Sequence, residues 1–118
     1  MQRKGEWKSL EKEQAIKILK FCRDIYKEIE FNKEISLTGE NGKLYALKNE
    51  IIRELNALPY REKNILFLFY IKGESWKRIS RTMQYSVRQC RNIRTVALQA
   101  IAARFTQNQL VKGFTYPE

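Results

Sequence analysis

One short stretch of the chain concentrates the side-chain types that read the edges of DNA bases. Its polar members are Arg88, Gln89, Arg91, Asn92 and Thr95. Arginine pairs with guanine through two hydrogen bonds, asparagine and glutamine do the same with adenine, and threonine contacts the thymine methyl group. A helix enters the major groove with its first turns deepest, so readers are expected near its start. We therefore predict that these side chains read bases from the start of one helix.

Positive charge surrounds this stretch. Between residues 72 and 94 the only acid is Glu74. Lysine and arginine beside a duplex bind its phosphates and give affinity without reading sequence. A helix start adds backbone N–H groups that favour a phosphate. The predicted phosphate-binding residues are Lys72, Lys77, Arg78, Arg81, Ser86 and Arg94.

Two helices joined by a tight turn would position these groups. Ser75 and Ser86 are predicted N-caps of helices over 76–83 and 87–105, with the turn at Gln84 and Tyr85. A preceding helix begins after Pro59, and Gly73 is its predicted C-terminal cap. One buried seam across the two later helices would consist of Trp76, Ile79, Met83, Val87, Cys90, Ile93 and Ala97. This layout is typical of a helix-turn-helix unit.

The first half of the chain predicts a helical hairpin. Apolar residues recur at three- and four-residue steps over residues 9–34, with Ser9 as N-cap, and again over 43–58. The Asn41-Gly42 pair marks residues 36–42 as a loop. The long apolar stripe of the first helix is interpreted as hairpin core, and alternatively as the seam of a homodimer formed through the N-terminal helices. Residues 106–118 are expected to form a frayed tail.

Charge and composition limit the class of function. The chain has 118 residues, 23 basic and 13 acidic side chains, no histidine and a net charge of +10. Most of the excess lies beyond residue 58, so this half needs an anionic partner, with DNA or RNA as the first candidate and an acidic membrane surface as the second. No apolar stretch approaches the roughly 20 residues that span a bilayer, and we expect no membrane association. Cys22 and Cys90 are interpreted as buried thiols of a cytoplasmic protein.

The second half resembles region four of bacterial sigma factors, which binds the promoter −35 element. The matching segments are LPYREKNIL at 58–66, YIKGESWKRI at 70–79 and SVRQCRNI at 86–93, and the likeness continues to Ala97-Leu98. In that family the −35 readers lie at the start of the last helix, where Arg88, Gln89, Arg91 and Asn92 stand here. Val87 and Arg88 depart from the family, which commonly has a polar residue and an acid at these positions.

The resemblance also implies a protein partner and a biological setting. The corresponding face of sigma factors docks on RNA polymerase, so Phe67, Phe69 and Tyr70 are a candidate partner face. A small helical protein that ends in such a region also resembles phage late-transcription activators of the RinA and ArpU type. That likeness implies an activator encoded by a phage or mobile element and acting in the cytoplasm of a bacterial cell.

Together these observations predict an all-α protein with a helical hairpin over 1–57, a DNA-binding unit of three helices over 58–105 and a tail over 106–118. The predicted function is sequence-specific binding of double-stranded DNA to regulate transcription. The alternatives are a sigma mimic that binds RNA polymerase and a small terminase-like subunit for DNA packaging. No enzyme activity, metal or cofactor is expected, because the chain shows no acid–base pair or ligand set.

Overall fold

The computed structural model describes residues 4–31 and 39–116, and the side chains of residues 11–27 and 42–116. The helices in this part of the chain are α1 (Lys4–Phe31), α2 (Gly39–Asn56), α3 (Tyr60–Leu66), α4 (Trp76–Met83), α5 (Val87–Gln107) and α6 (Gln109–Gly113). A π-helical turn, Phe67–Ile71, continues α3. No strand occurs among the described residues, and the predicted all-α class is confirmed. None of these helices is both long enough and apolar enough to cross a membrane.

Two helices of the first half begin earlier than predicted. α1 begins at Lys4, so Ser9 lies inside it and the predicted N-cap at Ser9 is wrong. A capping box at Ser9 needs Glu or Gln where Lys12 stands. α2 begins at Gly39, so the part of the predicted loop from Gly39 to Gly42 is helical. Residues 36–38 of that loop, and Glu34 at the predicted end of the first helix, lie outside the described residues.

One large apolar core joins every described helix except α4. Its fully buried side chains include Leu19, Cys22, Leu47, Ile51, Leu66, Ile101 and Val111. They come from α1, α2, α3, α5 and α6, and α1 packs against both α2 and α5. The apolar stripe of α1 is therefore covered within this chain, at Ala15, Leu19, Cys22 and Ile25. Burial raises the pKa of the Cys22 thiol to about 12.

Residues 106–116 of the predicted tail pack against the core, so the prediction that they are frayed is wrong, while Pro117 and Glu118 lie outside the described residues. The Asn108 side chain accepts a hydrogen bond of 3.1 Å from the Val111 N–H and so caps α6. Val111 is fully buried, and Tyr116 is only 6% exposed. The rings of Phe114 and Tyr116 pack on Phe21 of α1, at centroid distances of 5.2 and 5.4 Å. The short α6 is stabilised by partners distant in sequence, which is why local periodicity did not reveal it.

A second, smaller core joins α3, α4 and α5. Ile65, Ile79 and Cys90 are fully buried at its centre. Half-buried side chains surround them, and these are Leu68, Phe69, Trp76, Met83, Tyr85 and Ile93. Of the predicted seam, Ile79 and Cys90 are buried in this core, and Trp76, Met83 and Ile93 are half-buried around it. Val87 is half-buried, and Ala97 belongs to the large core. Because the apolar side of α5 faces inward here, its opposite side is exposed.

Candidate nucleic-acid interface

The turns on both sides of α4 are defined by local backbone geometry. Gly73 has a positive φ of 69°, as expected of a helix-terminating glycine. Ser75 caps α4, because its hydroxyl oxygen accepts a hydrogen bond of 3.2 Å from the Arg78 N–H. Gln84 adopts the left-handed conformation with φ 61° and ends the helix. The Ser80 hydroxyl donates to the Tyr85 carbonyl and ties α4 to the turn that follows.

The start of α5 is held by a capping box. The Gln89 N–H donates to the Ser86 hydroxyl oxygen at 3.1 Å, and the Ser86 N–H donates to the Gln89 side-chain oxygen at 2.9 Å. The predicted N-cap at Ser86 is confirmed. Both residues also stood among the predicted DNA contacts, and the structure shows that their polar groups already bond to each other. The Ser-x-x-Gln pattern is a known capping signature, and it predicts this arrangement from the sequence.

The outward side of α5 carries four of the predicted base readers. Arg88, Arg91, Asn92 and Thr95 are all exposed and follow the three- and four-residue spacing of one helix face. The Thr95 hydroxyl donates to the Arg91 carbonyl at 3.1 Å, which leaves its methyl group free to make apolar contacts. No ion pair with an acid of the described chain involves Arg88 or Arg91. Their charges are thus available to a partner.

The cations of α4 lie together. Lys77, Arg78 and Arg81 are exposed and line a shallow depression with Ser75 and Thr82. The Arg78 Nε atom is 3.8 Å from a Glu74 carboxylate oxygen, and this guanidinium stays largely exposed. Lys72 is also exposed, with its ammonium group 5.9 Å from the centre of the Phe67 ring. The depression is concave and positively charged, which suits a phosphate backbone.

Arg94 has different surroundings from the other predicted phosphate-binding residues. It is half-buried, with its guanidinium carbon 5.2 Å from the centre of the Trp76 ring and 5.6 Å from that of Phe69. Its Nε atom is buried and has no hydrogen-bond partner among the described residues. Burial raises the pKa of Tyr70 above its ordinary value, and the nearby Arg94 partly opposes this. The structure therefore places Arg94 within the aromatic side of the small core.

The candidate partner face is packed within the protein. Tyr70 is only 6% exposed and belongs to the large core. Phe67 and Phe69 are half-buried and pack against that core, and Phe69 also stacks on Trp76. The apolar surface of these three residues mainly contacts other side chains of the same protein. Their positions give no support to a docking face for RNA polymerase.

Two groups of contacts were not predicted. Trp76 was assigned to the core, but its ring also lies 5.8 Å from the Arg91 guanidinium carbon. Glu54, only 8% exposed, accepts hydrogen bonds from Arg104 at 2.9 Å and from Asn108 at 2.8 Å. No local spacing in the sequence predicts the contacts of Trp76 or of Glu54, since each set of contacts joins separate helices.

Three comparisons were made with known proteins, and none identifies a relative. No protein-family model matches the chain, and searches of curated proteins and of solved structures gave no match. Within the described part of the chain, no group of three or more cysteine, aspartate or glutamate side chains could hold a metal ion. The arrangement of α4 and α5 is therefore what any functional hypothesis must rest on.

Proposed function

We propose that this protein binds double-stranded DNA in a sequence-dependent way and regulates transcription from a promoter. A single observation carries the proposal. The exposed face of α5 presents Arg88, Arg91, Asn92 and Thr95 within about two and a half turns of its capped start, beside the exposed cations of α4. These are the side-chain types that bond base edges, flanked by the types that bind phosphates.

The dimensions of α5 suit this role. An α-helix with its side chains is about 10–12 Å across, close to the major groove width of about 12 Å. From Arg88 to Thr95 the helix rises by about 10 Å, at ~1.5 Å per residue. One groove can therefore admit all four readers at once. The rest of the helix, beyond Thr95, contributes Ala97, Leu98 and Ile101 to the large core and so anchors the reading end.

The transcriptional part of the proposal comes from the resemblance to sigma region four. That family uses the start of its last helix on promoter DNA, and the same positions are exposed here. The further likeness to phage late-transcription activators favours an activator from a phage or mobile element. Charge supports the DNA-binding part independently, since the net charge is +10.

The proposal is tested by selecting preferred sequences from random duplexes at a stated salt concentration. Arg91→Ala should then lose about 1–3 kcal/mol of binding free energy at one base pair and relax the choice of base there. Arg53→Ala is the matched control, because Arg53 is an exposed arginine of α2 with a side chain 72% accessible. It should leave the preference unchanged.

Two results would contradict the proposal. An equal loss of affinity by Arg91→Ala on every duplex would show that Arg91 does not read bases. A wild-type protein that ignores all duplexes at low ionic strength would show that the charged face has another partner. Transcription from a promoter that carries the selected site then tests the regulatory part.

A further inference from the structure

We infer that Trp76 is a positioning residue that determines specificity, because it holds Arg91 in the orientation used to read a base. The inference rests on the proposed function of α5, and it adds a residue of α4 to the determinants of that site. Trp76 itself is not assigned a contact with DNA. Its role is to limit the conformations of the arginine that makes one.

The indole of Trp76, at the first position of α4, packs against side chains of several elements. Its ring stacks on Phe69, with 4.4 Å between centroids and 20° between planes. Trp76 also packs against the small core around Ile79 and Cys90. The guanidinium of Arg94 lies beside both rings, 5.2 Å from the Trp76 centroid and 5.6 Å from that of Phe69. The indole is therefore packed against α5 and the π-helical turn as well as against its own helix, α4.

Arg91 lies over the Trp76 ring. Its guanidinium carbon is 5.8 Å from the Trp76 centroid, while the side chain as a whole is exposed. A cation within about 6 Å of an aromatic centroid is attracted to it, and tryptophan is the strongest of the aromatic partners. Arg88, on the same exposed face, makes no ring contact in the described part of the chain. The two arginines therefore differ in how far they are ordered before DNA arrives.

The difference has a consequence for recognition. A long exposed side chain loses rotamer freedom when it binds, and a side chain that is already ordered loses less. Arginine also pairs with guanine through a planar fork, so its orientation decides whether both hydrogen bonds form. Holding Arg91 against Trp76 should thus favour the correct base at the pair that Arg91 reads, and should have little effect elsewhere in the site.

The test uses the full chain and the base pair that Arg91→Ala identifies. Trp76→Leu keeps apolar volume without an aromatic ring, and it should reduce discrimination at that base pair by about two- to fivefold. Trp76→Phe keeps a smaller ring and should lose less. In an Arg91→Ala background, Trp76→Leu should cause no further loss at that pair. Tyr60→Leu is the control, because it removes a similar cation–ring contact, Lys63 at 5.8 Å, from α3.

A second measurement does not depend on any variant binding DNA. In the free wild-type protein, the ring current of Trp76 should shift the side-chain protons of Arg91 upfield in NMR spectra, relative to those of Arg88. The shift should disappear in Trp76→Leu and should become smaller in Trp76→Phe. Circular dichroism and thermal unfolding establish whether each variant is folded. If Trp76→Leu does not fold, the inference is tested by Trp76→Phe and by the ring-current shift in the wild-type protein.

The outcomes separate the inference from the proposed function. A folded Trp76→Leu protein that discriminates as well as the wild type would overturn the inference and leave the proposed function standing. An equal loss at every base pair, or no ring-current shift on Arg91, would overturn it in the same way. Wild-type protein without any preference among duplexes would overturn the proposed function, and the inference with it.

Discussion

At the scale of single residues, three arginines of α5 show how position on a helix decides availability. Each residue turns an α-helix by about 100°, so Arg94 lies about 120° around the axis from Arg88, with Arg91 between them. Arg88 is on the exposed face, Arg91 is exposed but within reach of Trp76, and Arg94 is half-buried among aromatic rings. Three arginines within two turns of one helix thus have three different surroundings.

The exposed cations of α4 lead to a prediction about salt. Arg78→Ala and Arg81→Ala should each weaken binding to all duplexes and lower the slope of log affinity against log salt by about one unit. The reason is that each arginine neutralises a phosphate and so releases a counterion. Titrations at several salt concentrations measure the slope. With Arg53→Ala as the control, a slope that stays the same in the α4 variants would remove these residues from the phosphate-binding set.

At the scale of elements, serine caps fix where α4 and α5 begin. Ser75 and Ser86 each use a hydroxyl oxygen to satisfy an N–H of the first turn. The reciprocal bond from the Ser86 N–H to Gln89 makes the start of α5 the more firmly held of the two. Since the proposed base readers begin at Arg88, the cap would also fix their depth in a groove.

Removing the cap of α5 should destabilise the protein. Ser86→Ala removes the acceptor for the Gln89 N–H, and such changes cost about 1 kcal/mol of unfolding free energy. Urea denaturation followed by circular dichroism measures the loss. Ser86→Thr retains a capping hydroxyl and should cost less. Equal stability of Ser86→Ala and the wild type would show that the capping box does not stabilise α5.

At the scale of the whole molecule, a buried carboxylate connects the first half of the chain to its end. Glu54 of α2 accepts hydrogen bonds from Arg104 of α5 and from Asn108, the residue that caps α6. Together with the large core, this network makes α1, α2, α5 and α6 one packed unit. The helix that carries the proposed base readers is therefore supported by α1 and α2 from the first half of the chain and by α6 that follows it.

Loss of that carboxylate should therefore destabilise the whole molecule. Glu54→Ala leaves the buried Asn108 amide without its acceptor and should cost about 1–3 kcal/mol of unfolding free energy. Glu50→Ala is a matched control on the same helix, because Glu50 pairs with the exposed Arg53 at 2.9 Å. An exposed pair of this kind contributes about 0–1 kcal/mol. If the two variants lost the same stability in denaturant, the network would not connect the helices energetically.

Local features of the sequence predicted the all-α class, the caps at Ser75 and Ser86, the turn at Gly73 and the apolar seam of α4 and α5. Such features could be predicted because they depend on residues within about four positions of one another. A serine hydroxyl reaches an N–H three residues on, and an apolar face repeats every 3.6 residues. The exposure of Arg88 and Arg91 follows from the same periodicity, since Cys90 and Ile93 must face inward.

Tertiary packing alone decided the remaining features. These are the half-buried position of Arg94, the burial of Tyr70 in the large core, the packing of Tyr116 and the contact between Trp76 and Arg91. Each depends on side chains from separate helices meeting at a particular distance, such as Phe21 of α1 meeting Tyr116 at 5.4 Å. The free energy of these contacts depends on how the helices pack against one another, and no local spacing in the sequence specifies that packing.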